Sequence, residues 1–388
     1  MRSTHMYGST LLNRVNAASW CGYFWEVYYP LALLYYVPCF TYPSPFITIV
    51  LRVFMRKIKD RDFLETEEGM FFCVTGYVHP PDKITAYLKY TPVTEGKWKK
   101  GSTAFRRELP YYHVFSVSKT IDFLKENYPH YVHFCPVRQI EMSMIPKKYI
   151  KEYYEPENRL SQLVSSPEDD LEEKVAAFAQ DIINETGIPL SFLGITGSIL
   201  IGLHNPVFSD IDLIVYGKEN SIKVKNCLKN LCNVNTLKDE RREEWIQHKM
   251  KIFKFERKDA ELLADRKWNY GFYQNTYFSV HPTRVDSEIT QTYNTVQYTG
   301  MGAATVIAEI SDSSESMFLP AHYKIDVVDI LEGENVFIDE LVSYEGVYCD
   351  AFVNGEKIEA RGRLENVNGK HQLVLGTLEV ENQYIRFV

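Results

Sequence analysis

The chain has 388 residues, of which 45% are hydrophobic and 24% charged, and its formal net charge at pH 7 is −8. This composition is typical of a folded protein of two or three domains and excludes a broadly disordered chain. No sustained run of lysine and arginine is present, which argues against a protein that grips long nucleic acid, such as a processive polymerase. The seven cysteines are scattered without a Cys-x-x-Cys pair, which indicates reduced thiols in a cytoplasmic protein and no zinc site.

Residues 1–54 differ in composition from the rest of the chain, since they contain only four charged side chains. Residues 27–51 carry no charge and are long enough to span a bilayer, but they include four prolines, each of which removes a helix hydrogen bond. We therefore predict a hydrophobic extension outside the fold, with Met55 as the natural start. A membrane anchor and a partner-binding segment are the alternatives, and membrane association is not expected.

Residues 60–150 show a β-rich pattern with one short helix, at residues 120–127. Two strand-like runs, residues 71–78 and 84–90, are joined by a proline-rich turn, which explains His79 and Asp82 better than a catalytic pair does. Residues 155–165 are polar and irregular, and we predict a hinge there.

A well-marked helix follows, with Ser166 as its expected N-cap and with Gly187 and Pro189 ending it. Its apolar residues recur at helical spacing and predict one buried face, formed by Leu171, Val175, Phe178, Ala179 and Ile182.

Two short apolar runs, residues 192–195 and 211–215, are predicted to be buried strands. The second strand opens with Asp210 and Asp212, whose side chains leave the same face because strand side chains alternate in direction. Two carboxylates so close repel each other unless a cation lies between them, and oxygen ligands suit Mg²⁺. The pair therefore predicts a metal site, although Asp-x-Asp alone occurs by chance in many loops.

A Gly197-Ser198 turn closes the first of these strands, and residues 199–203 are long enough for one or two helical turns. Free backbone N–H groups at a helix start favour an anion such as phosphate. Within this loop a lone His204 is more often a packed or capping residue than a ligand. The combination of the turn and the acidic pair is what nucleotide chemistry requires.

Beyond residue 216 the pattern predicts helices at residues 220–231 and 237–250 and a third sheet strand at residues 277–280. The chain after residue 290 is almost wholly β, with short runs at steady spacing that favour a small barrel of five or six strands. These runs lie at residues 304–310, 323–330, 336–344, 347–353, 357–364 and 373–378.

The Gly-Ser turn followed at this distance by Asp-hydrophobic-Asp, within residues 197–212, resembles the signature of the DNA polymerase beta-like nucleotidyltransferase superfamily. Further stretches are similar to an archaeal family of predicted nucleotidyltransferases, at residues 76–81, 88–90, 196–198, 202–206, 209–212, 215–217, 278–280 and 343–346. The resemblance spans about residues 60–388 and implies an α+β fold. It places a mixed sheet with helices, the nucleotidyltransferase domain, at residues 166–290, flanked by an N-terminal α+β region at 60–150 and a C-terminal small β-barrel domain at 297–388.

The reaction implied by the resemblance is the magnesium-dependent transfer of a nucleoside monophosphate from an NTP to an acceptor, with release of pyrophosphate. Asp210 and Asp212 are the expected catalytic residues and the ligands of Mg²⁺ (or Mn²⁺). Gly197, Ser198 and Ser209 are the expected nucleotide-binding residues, with Ser198 holding the terminal phosphates. For Ser209, orienting the acidic pair and shaping a turn are equally open. The acceptor, whether a small molecule, a protein side chain or an RNA end, stays open.

This sequence departs from the superfamily pattern because the superfamily usually adds a third carboxylate from a neighbouring strand. The candidate strand at residues 277–282 contains no acidic residue, and His281 occupies a position where the third carboxylate is expected. Four acids follow without a compelling spacing, namely Asp286, Glu288, Asp326 and Asp329. The alternative function is therefore a nucleotide-binding module with weak or no transfer activity, whose β domain contacts RNA or protein.

Overall fold

The computed structural model of the protein describes residues 56–109, 114–253 and 255–388, so the predicted extension at residues 1–54 lies outside the described residues. The described chain holds seven α-helices and 19 β-strands, which confirms the mixed α+β class predicted from the sequence. None of the described helices is both long enough and apolar enough to cross a bilayer.

The first of three sheets forms from eight strands: β1 (Phe63–Thr66), β2 (Phe71–Val74), β3 (Lys83–Val93), β4 (Trp98–Lys100), β5 (Thr103–Arg107), β6 (Val132–Cys135), β7 (Ile140–Pro146) and β8 (Ile150–Tyr154). Its main path runs β4-β5-β3-β2-β1-β8, and β7 joins β3 to β6. Helix α1 (Val114–Asn127) is longer than the predicted helix and buries Leu124 in the sheet's core. Tyr90 of β3 pairs in register with Arg107 of β5, so these two side chains are cross-strand neighbours.

Residues 155–165, predicted to be a hinge, form helix α2 (Pro156–Ser165), so that prediction was wrong. Proline fits the first helical turn, and Leu160 and Leu163 recur at helical spacing on a fully buried face, so tertiary burial outweighs the polar composition. The next helix, α3 (Asp170–Thr186), is capped by Asp169 rather than by Ser166.

The shift of the cap follows from hydrogen bonding, because the Asp169 carboxylate accepts from the backbone N–H groups of Leu171 and Glu172. The predicted apolar face of α3 is buried in the core, and Gly187 ends the helix in a left-handed conformation, as expected.

The central sheet contains β9 (Leu193–Thr196), β10 (Ile211–Tyr216), β11 (Val234–Thr236), β12 (Tyr270–Tyr273) and β13 (Thr276–Thr283), in the order β11-β12-β13-β10-β9. Strands β10 and β13 run parallel and the other neighbours antiparallel, so the sheet is mixed. The predicted strands at residues 192–195, 211–215 and 277–280 are confirmed within a few residues. Four helices accompany the sheet: α4 (Gly197–Leu200), α5 (Lys218–Leu228), α6 (Asp239–Phe253) and α7 (Arg257–Arg266).

The C-terminal sheet is curled, and its strands are β14 (Tyr298–Glu315), β15 (Ala321–Glu332), β16 (Ile338–Ser343), β17 (Lys357–Val367), β18 (Lys370–Leu375) and β19 (Tyr384–Phe387). The pairings run β14-β15-β16-β18-β17 and return from β17 to β14, which closes a ring of five strands, with β19 beside β17. A small barrel-like sheet is therefore present where the spacing of the short runs predicted one.

The predicted strand at residues 347–353 is wrong, because a 3-10 turn (Gly346–Tyr348) and a loop stand there. The Tyr323 hydroxyl supplies part of the hydrogen bonding that a strand ladder would give: it donates to the Tyr348 carbonyl at 2.6 Å and accepts from Ala351 N–H at 2.9 Å. Apolar alternation in this segment reflects side chains that enter the barrel's core, including Phe352.

Residues 57–388 form one compact unit. A single apolar core joins helices α6 and α7 to the barrel, since Trp245, Ile246 and Leu263 belong to the same cluster as Ile325 and Leu364. The domain boundary predicted between residues 290 and 297 therefore does not separate two independent cores. Side chains from both sides of it pack in one apolar core.

Candidate active site

Gly197 lies directly against Asp212, because β9 and β10 are antiparallel and Asp212 pairs with Thr196. The backbone of Gly197 has φ +71°, and a Cβ at this position would collide with Asp212 Oδ2. Only glycine satisfies both conditions, since other residues disfavour positive φ and would displace the carboxylate. The predicted turn and the predicted acidic pair therefore meet in space.

Asp212 is held in place from the neighbouring strand β13. Ser279 pairs with Asp212 in register and donates a hydrogen bond from its Oγ to Asp212 Oδ1. His281 Nε2 lies 2.7 Å from Ser279 Oγ and 3.5 Å from Asp212 Oδ1. Since the serine proton goes to Asp212, His281 Nε2–H is the donor that the serine oxygen shares with the more distant Asp212 Oδ1. Burial lowers the pKa of His281 to about 4, so the imidazole is neutral at pH 7.

The two carboxylates differ in their ionisation. Burial works to raise the pKa of Asp212, but hydrogen bonds from His281 and Ser279 and the charge of Lys89 outweigh it and hold the pKa below its ordinary value. The negative charge of Asp212 raises the pKa of Asp210, and burial raises it further, to about 6. The site therefore holds two carboxylates with unequal proton affinities, and Asp210 takes up a proton at a higher pH than Asp212 does.

One pocket brings four of the predicted site residues together with part of the N-terminal sheet, and Gly197 contacts it through Asp212. Its lining consists of Lys89, Tyr90, Trp98, Arg107, Ser198, Phe208, Ser209, Asp210 and Asp212. The two cations of this pocket, Lys89 of β3 and Arg107 of β5, come from the N-terminal sheet, and the ammonium group of Lys89 is close enough to lower the pKa of both carboxylates. Neither Lys89 nor Arg107 was predicted from the sequence as a site residue. Lys89 lies within the stretch at residues 88–90 that resembles the archaeal family, and that was the available signal.

Ser209 lies in a compact turn that precedes the acidic pair. Its Oγ accepts a hydrogen bond from Asn205 N–H at 2.9 Å, and its own N–H donates to the Asn205 carbonyl at 2.9 Å. The hydroxyl therefore shapes the turn, and the same residue lines the pocket. This turn presents Val207 and Phe208 to solvent, with 91% and 50% of their surface exposed.

Another polar cluster ties this loop to the start of α3. His204 Nε2 lies 2.9 Å from Asp169 Oδ2 and 3.5 Å from Glu172 Oε1, so these three residues have ligand atoms close enough to hold a metal ion. However, Asp169 Oδ1 caps α3, and both oxygens of Glu172 accept hydrogen bonds, from Arg159 and from the Glu168 N–H. We interpret the cluster as a structural tether of the loop between α4 and β10, in which His204 is packed and hydrogen bonded.

The other acids considered from the sequence take part in different contacts. Asp286 forms a 2.5 Å ion pair with Lys59, and Glu288 accepts from Lys218 N–H at 2.9 Å. Asp326 and Asp329 lie on β15, in the barrel, and are exposed. The carboxylates that line the pocket are Asp210 and Asp212.

His79 and Asp82, set aside in the sequence as turn residues, are not part of the pocket lining. His79 Nδ1 accepts from Thr85 N–H at 3.3 Å, and Asp82 pairs with Lys83 at the surface.

Comparison with known proteins relates the chain to an archaeal relative of undescribed activity. The chain is 32% identical over 348 residues to MJ1086 of Methanocaldococcus jannaschii, which is described as an uncharacterized protein, and the match covers 85% of this chain and 99% of the relative. No family model matches the chain, and no solved structure matches it. The similarity extends over nearly all of the relative's length, so the chain belongs to the protein family of MJ1086.

Proposed function

We propose that the pocket between the N-terminal and central sheets is the active site of a metal-dependent nucleotidyltransferase. The observation that carries this proposal is the meeting of the Asp210 and Asp212 carboxylates with the Gly197 turn and with Lys89 and Arg107 in one pocket. The transferred group is a nucleoside monophosphate from an NTP. The acceptor oxygen attacks the α-phosphorus, the bond to the bridging oxygen breaks, pyrophosphate leaves and the acceptor proton passes to water.

The donor set fits a hard divalent cation. Asp210 and Asp212 supply carboxylate oxygens, which Mg²⁺ and Mn²⁺ prefer, and their mutual repulsion raises the pKa of Asp210 in the protein without metal. A bound cation would neutralise this repulsion and polarise the phosphate oxygens. Ser279 and His281 orient Asp212 by fixing its Oδ1.

The cations of the pocket fit the charge of the substrate. The two carboxylates are opposed by Lys89 and Arg107, so a divalent metal would leave the pocket positively charged and suited to a triphosphate. Helix α4 has only four residues, so its dipole is weak, and backbone N–H groups with these side chains are the better phosphate donors. Ser198 lines the same pocket, which supports the proposal that its hydroxyl binds the terminal phosphates.

One observation favours a second candidate, a nucleotide-binding module with weak or no transfer activity. On β13, Ser279 and His281 contact Asp212 at the place where the superfamily resemblance leads us to expect a third carboxylate. A site with two acids would bind a metal nucleotide and stabilise the transition state less well.

Pyrophosphate release from each of the four NTPs in the presence of Mg²⁺, with water taking the nucleoside monophosphate in place of the natural acceptor, distinguishes the two functions. We expect release by the wild-type chain and none by Asp210→Asn or Asp212→Asn, while Asp122→Asn, at an exposed position on α1, serves as the matched control. NTP binding without release supports the second candidate. Release by both aspartate variants at the wild-type rate would contradict the proposed site.

Thermal melting separates the site from the fold. Asp210→Ala is expected to leave the melting temperature unchanged or higher, because it removes a repulsion. Asp212→Ala is expected to lower it, because the hydroxyl of the buried Ser279 loses its acceptor.

A further inference from the structure

The N-terminal sheet supplies an aromatic surface beside the acidic pair. Trp98 lies on β4 and lines the pocket together with Phe208 of the turn before β10. The two rings are nearly perpendicular, with centroids 6.1 Å apart, and Trp98 also contacts Tyr90 at 5.8 Å. We call Trp98 and Phe208 the aromatic wall.

Phe208 is held in an exposed position by hydrogen bonds within its turn. Its N–H donates to the Asn205 carbonyl at 3.2 Å, and the Asn205 side chain accepts from Val207 N–H at 2.9 Å. Half of the Phe208 surface remains exposed next to a charged pocket. Exposed aromatic surface is unfavourable in water, and a flat ligand that covers it gains both burial and stacking.

We propose that the aromatic wall binds the nucleobase of the substrate, with one ring stacked on the face of the base and the other, nearly perpendicular, against its edge, while Lys89 and Arg107 bind its phosphates. This inference rests on the proposed function, because it assigns the two ends of the NTP to two parts of one pocket. Trp98 and the cations come from adjoining strands: Trp98 pairs in register with Phe105 and Arg107 with Tyr90. The N-terminal sheet is thus part of the substrate site.

Recognition by stacking implies a broad substrate class. Every base offers an aromatic face, so stacking alone tolerates all four bases and favours the larger purines modestly. We therefore expect ATP, GTP, CTP and UTP to bind with affinities within about tenfold of one another, with the purine nucleotides tighter.

Calorimetry with the full chain, Mg²⁺ and two probes tests the assignment. The probes are ATP and inorganic tripolyphosphate, which carries the phosphates without a nucleoside. Trp98→Ala and Phe208→Ala should weaken ATP binding roughly 5- to 150-fold and leave tripolyphosphate affinity unchanged. Lys89→Met should weaken the binding of both ATP and tripolyphosphate. Phe134→Ala, which removes another exposed ring from the N-terminal sheet outside the pocket, is the control and should change neither.

The outcomes separate this inference from the proposed function. Stacking-dependent ATP binding without pyrophosphate release would support the wall and count against transfer. Pyrophosphate release by both aromatic variants with wild-type KM would overturn the wall and leave transfer standing. An equal loss of affinity for ATP and for tripolyphosphate in a well-folded Phe208→Ala variant would also overturn the wall. Because Phe208 lies in an exposed turn, this variant keeps the test valid if Trp98→Ala does not fold. If neither ATP nor tripolyphosphate binds to the wild-type chain, both the aromatic wall and the proposed function are overturned.

Discussion

At the scale of single residues, Gly197 couples the turn to the acidic pair. Replacing it with alanine forces a non-glycine residue into φ +71° and drives a Cβ into Asp212 Oδ2. We expect Gly197→Ala to abolish Mg²⁺-dependent NTP turnover and to lower the free energy of unfolding by about 1–3 kcal/mol. Activity assays and urea unfolding measure the two effects.

Gly202→Ala is the matched control for this variant. Gly202 has φ +67°, and no atom lies within 4 Å of the position that an alanine Cβ would take, so alanine there meets the backbone cost without displacing Asp212. We expect a similar loss of stability with turnover retained. Equal loss of turnover in both variants would indicate a general effect of loop strain rather than the contact with Asp212.

Ser198 gives a prediction on binding. A hydroxyl that donates to a charged phosphate is worth roughly 1.5–3 kcal/mol, so Ser198→Ala should weaken Mg-NTP binding about 10- to 100-fold. Ser198→Gly should behave similarly, because the backbone N–H groups remain. Calorimetry and melting curves should be compared for both variants. A lower melting temperature with unchanged NTP affinity would restrict Ser198 to a structural role at the start of α4.

The residues found from the sequence are those whose chemistry is local. Asp210, Asp212, Gly197 and Ser198 lie within one turn and two strands, so strand alternation and turn chemistry were enough to predict that they lie close together. Lys89, Arg107 and Trp98 were missed as site residues because their place in the pocket depends on how two sheets pack together. The residues that neighbour a lysine in a half-buried strand do not indicate which other sheet its side chain will face.

At the scale of elements, segments with a clear apolar pattern were predicted well, as α3 and three of the five strands of the central sheet, β9, β10 and β13, illustrate. The errors occurred where tertiary contacts decide. Helix α2 has a polar composition but anchors Leu160 and Leu163, and Pro156 packs so closely on β9 that a Cβ on Gly194 would lie 2.8 Å from its Cβ. The loop after residue 346 resembled a strand because its apolar side chains enter the barrel.

The connection between β2 and β3 gives a prediction on pH. Burial, with a contribution from the charge of Lys147, lowers the pKa of His79 to about 4. The unfolded chain takes up this proton near its ordinary value of about 6.5, so the folded state loses stability as the pH falls from about 6.5 to about 4.

His79→Asn should remove this pH dependence, since the asparagine oxygen can accept the bond from Thr85 N–H while carrying no titratable group. The difference in unfolding free energy between variant and wild type should change with pH by at most about 1.4 kcal/mol per unit in that window. Urea unfolding at several pH values measures it. A difference that stays constant from pH 4 to 7 would show that His79 does not titrate as its burial implies.

At the scale of the whole molecule, the barrel and the central helices stabilise each other. Arg266 of α7 forms two hydrogen bonds with the Glu356 carboxylate, and Asp350 accepts from both Lys225 and Trp268. The same elements also share one apolar core. The barrel should therefore be required for the central sheet to fold.

A chain ending at residue 296 tests this dependence. It leaves the apolar faces of α6 and α7 uncovered, so we expect aggregation or strong binding of a hydrophobic dye. The chain of residues 55–388 is the control. Cooperative unfolding of the shortened chain, without dye binding, would show that residues 55–296 fold independently and that the shared core is dispensable.

The first described residues are bonded to distant parts of the compact unit. Lys57 Nζ donates to the Ile289 carbonyl at 2.8 Å, Lys59 pairs with Asp286 at 2.5 Å, and Asp60 accepts from Gly76 N–H at 2.8 Å. These contacts tie the chain to the compact unit from Lys57 onward. We therefore expect residues 55–388 to fold and remain in solution without the first 54.

Expression of both chains provides the measurement, with melting temperature and ATP affinity as readouts. Because the pocket is lined by residues 89–212, both quantities should agree between the two chains within error. Aggregation of the shorter chain while the full chain stays folded would assign residues 1–54 a part in the fold. Unchanged melting with weaker ATP binding would instead indicate that the extension contributes to the substrate site.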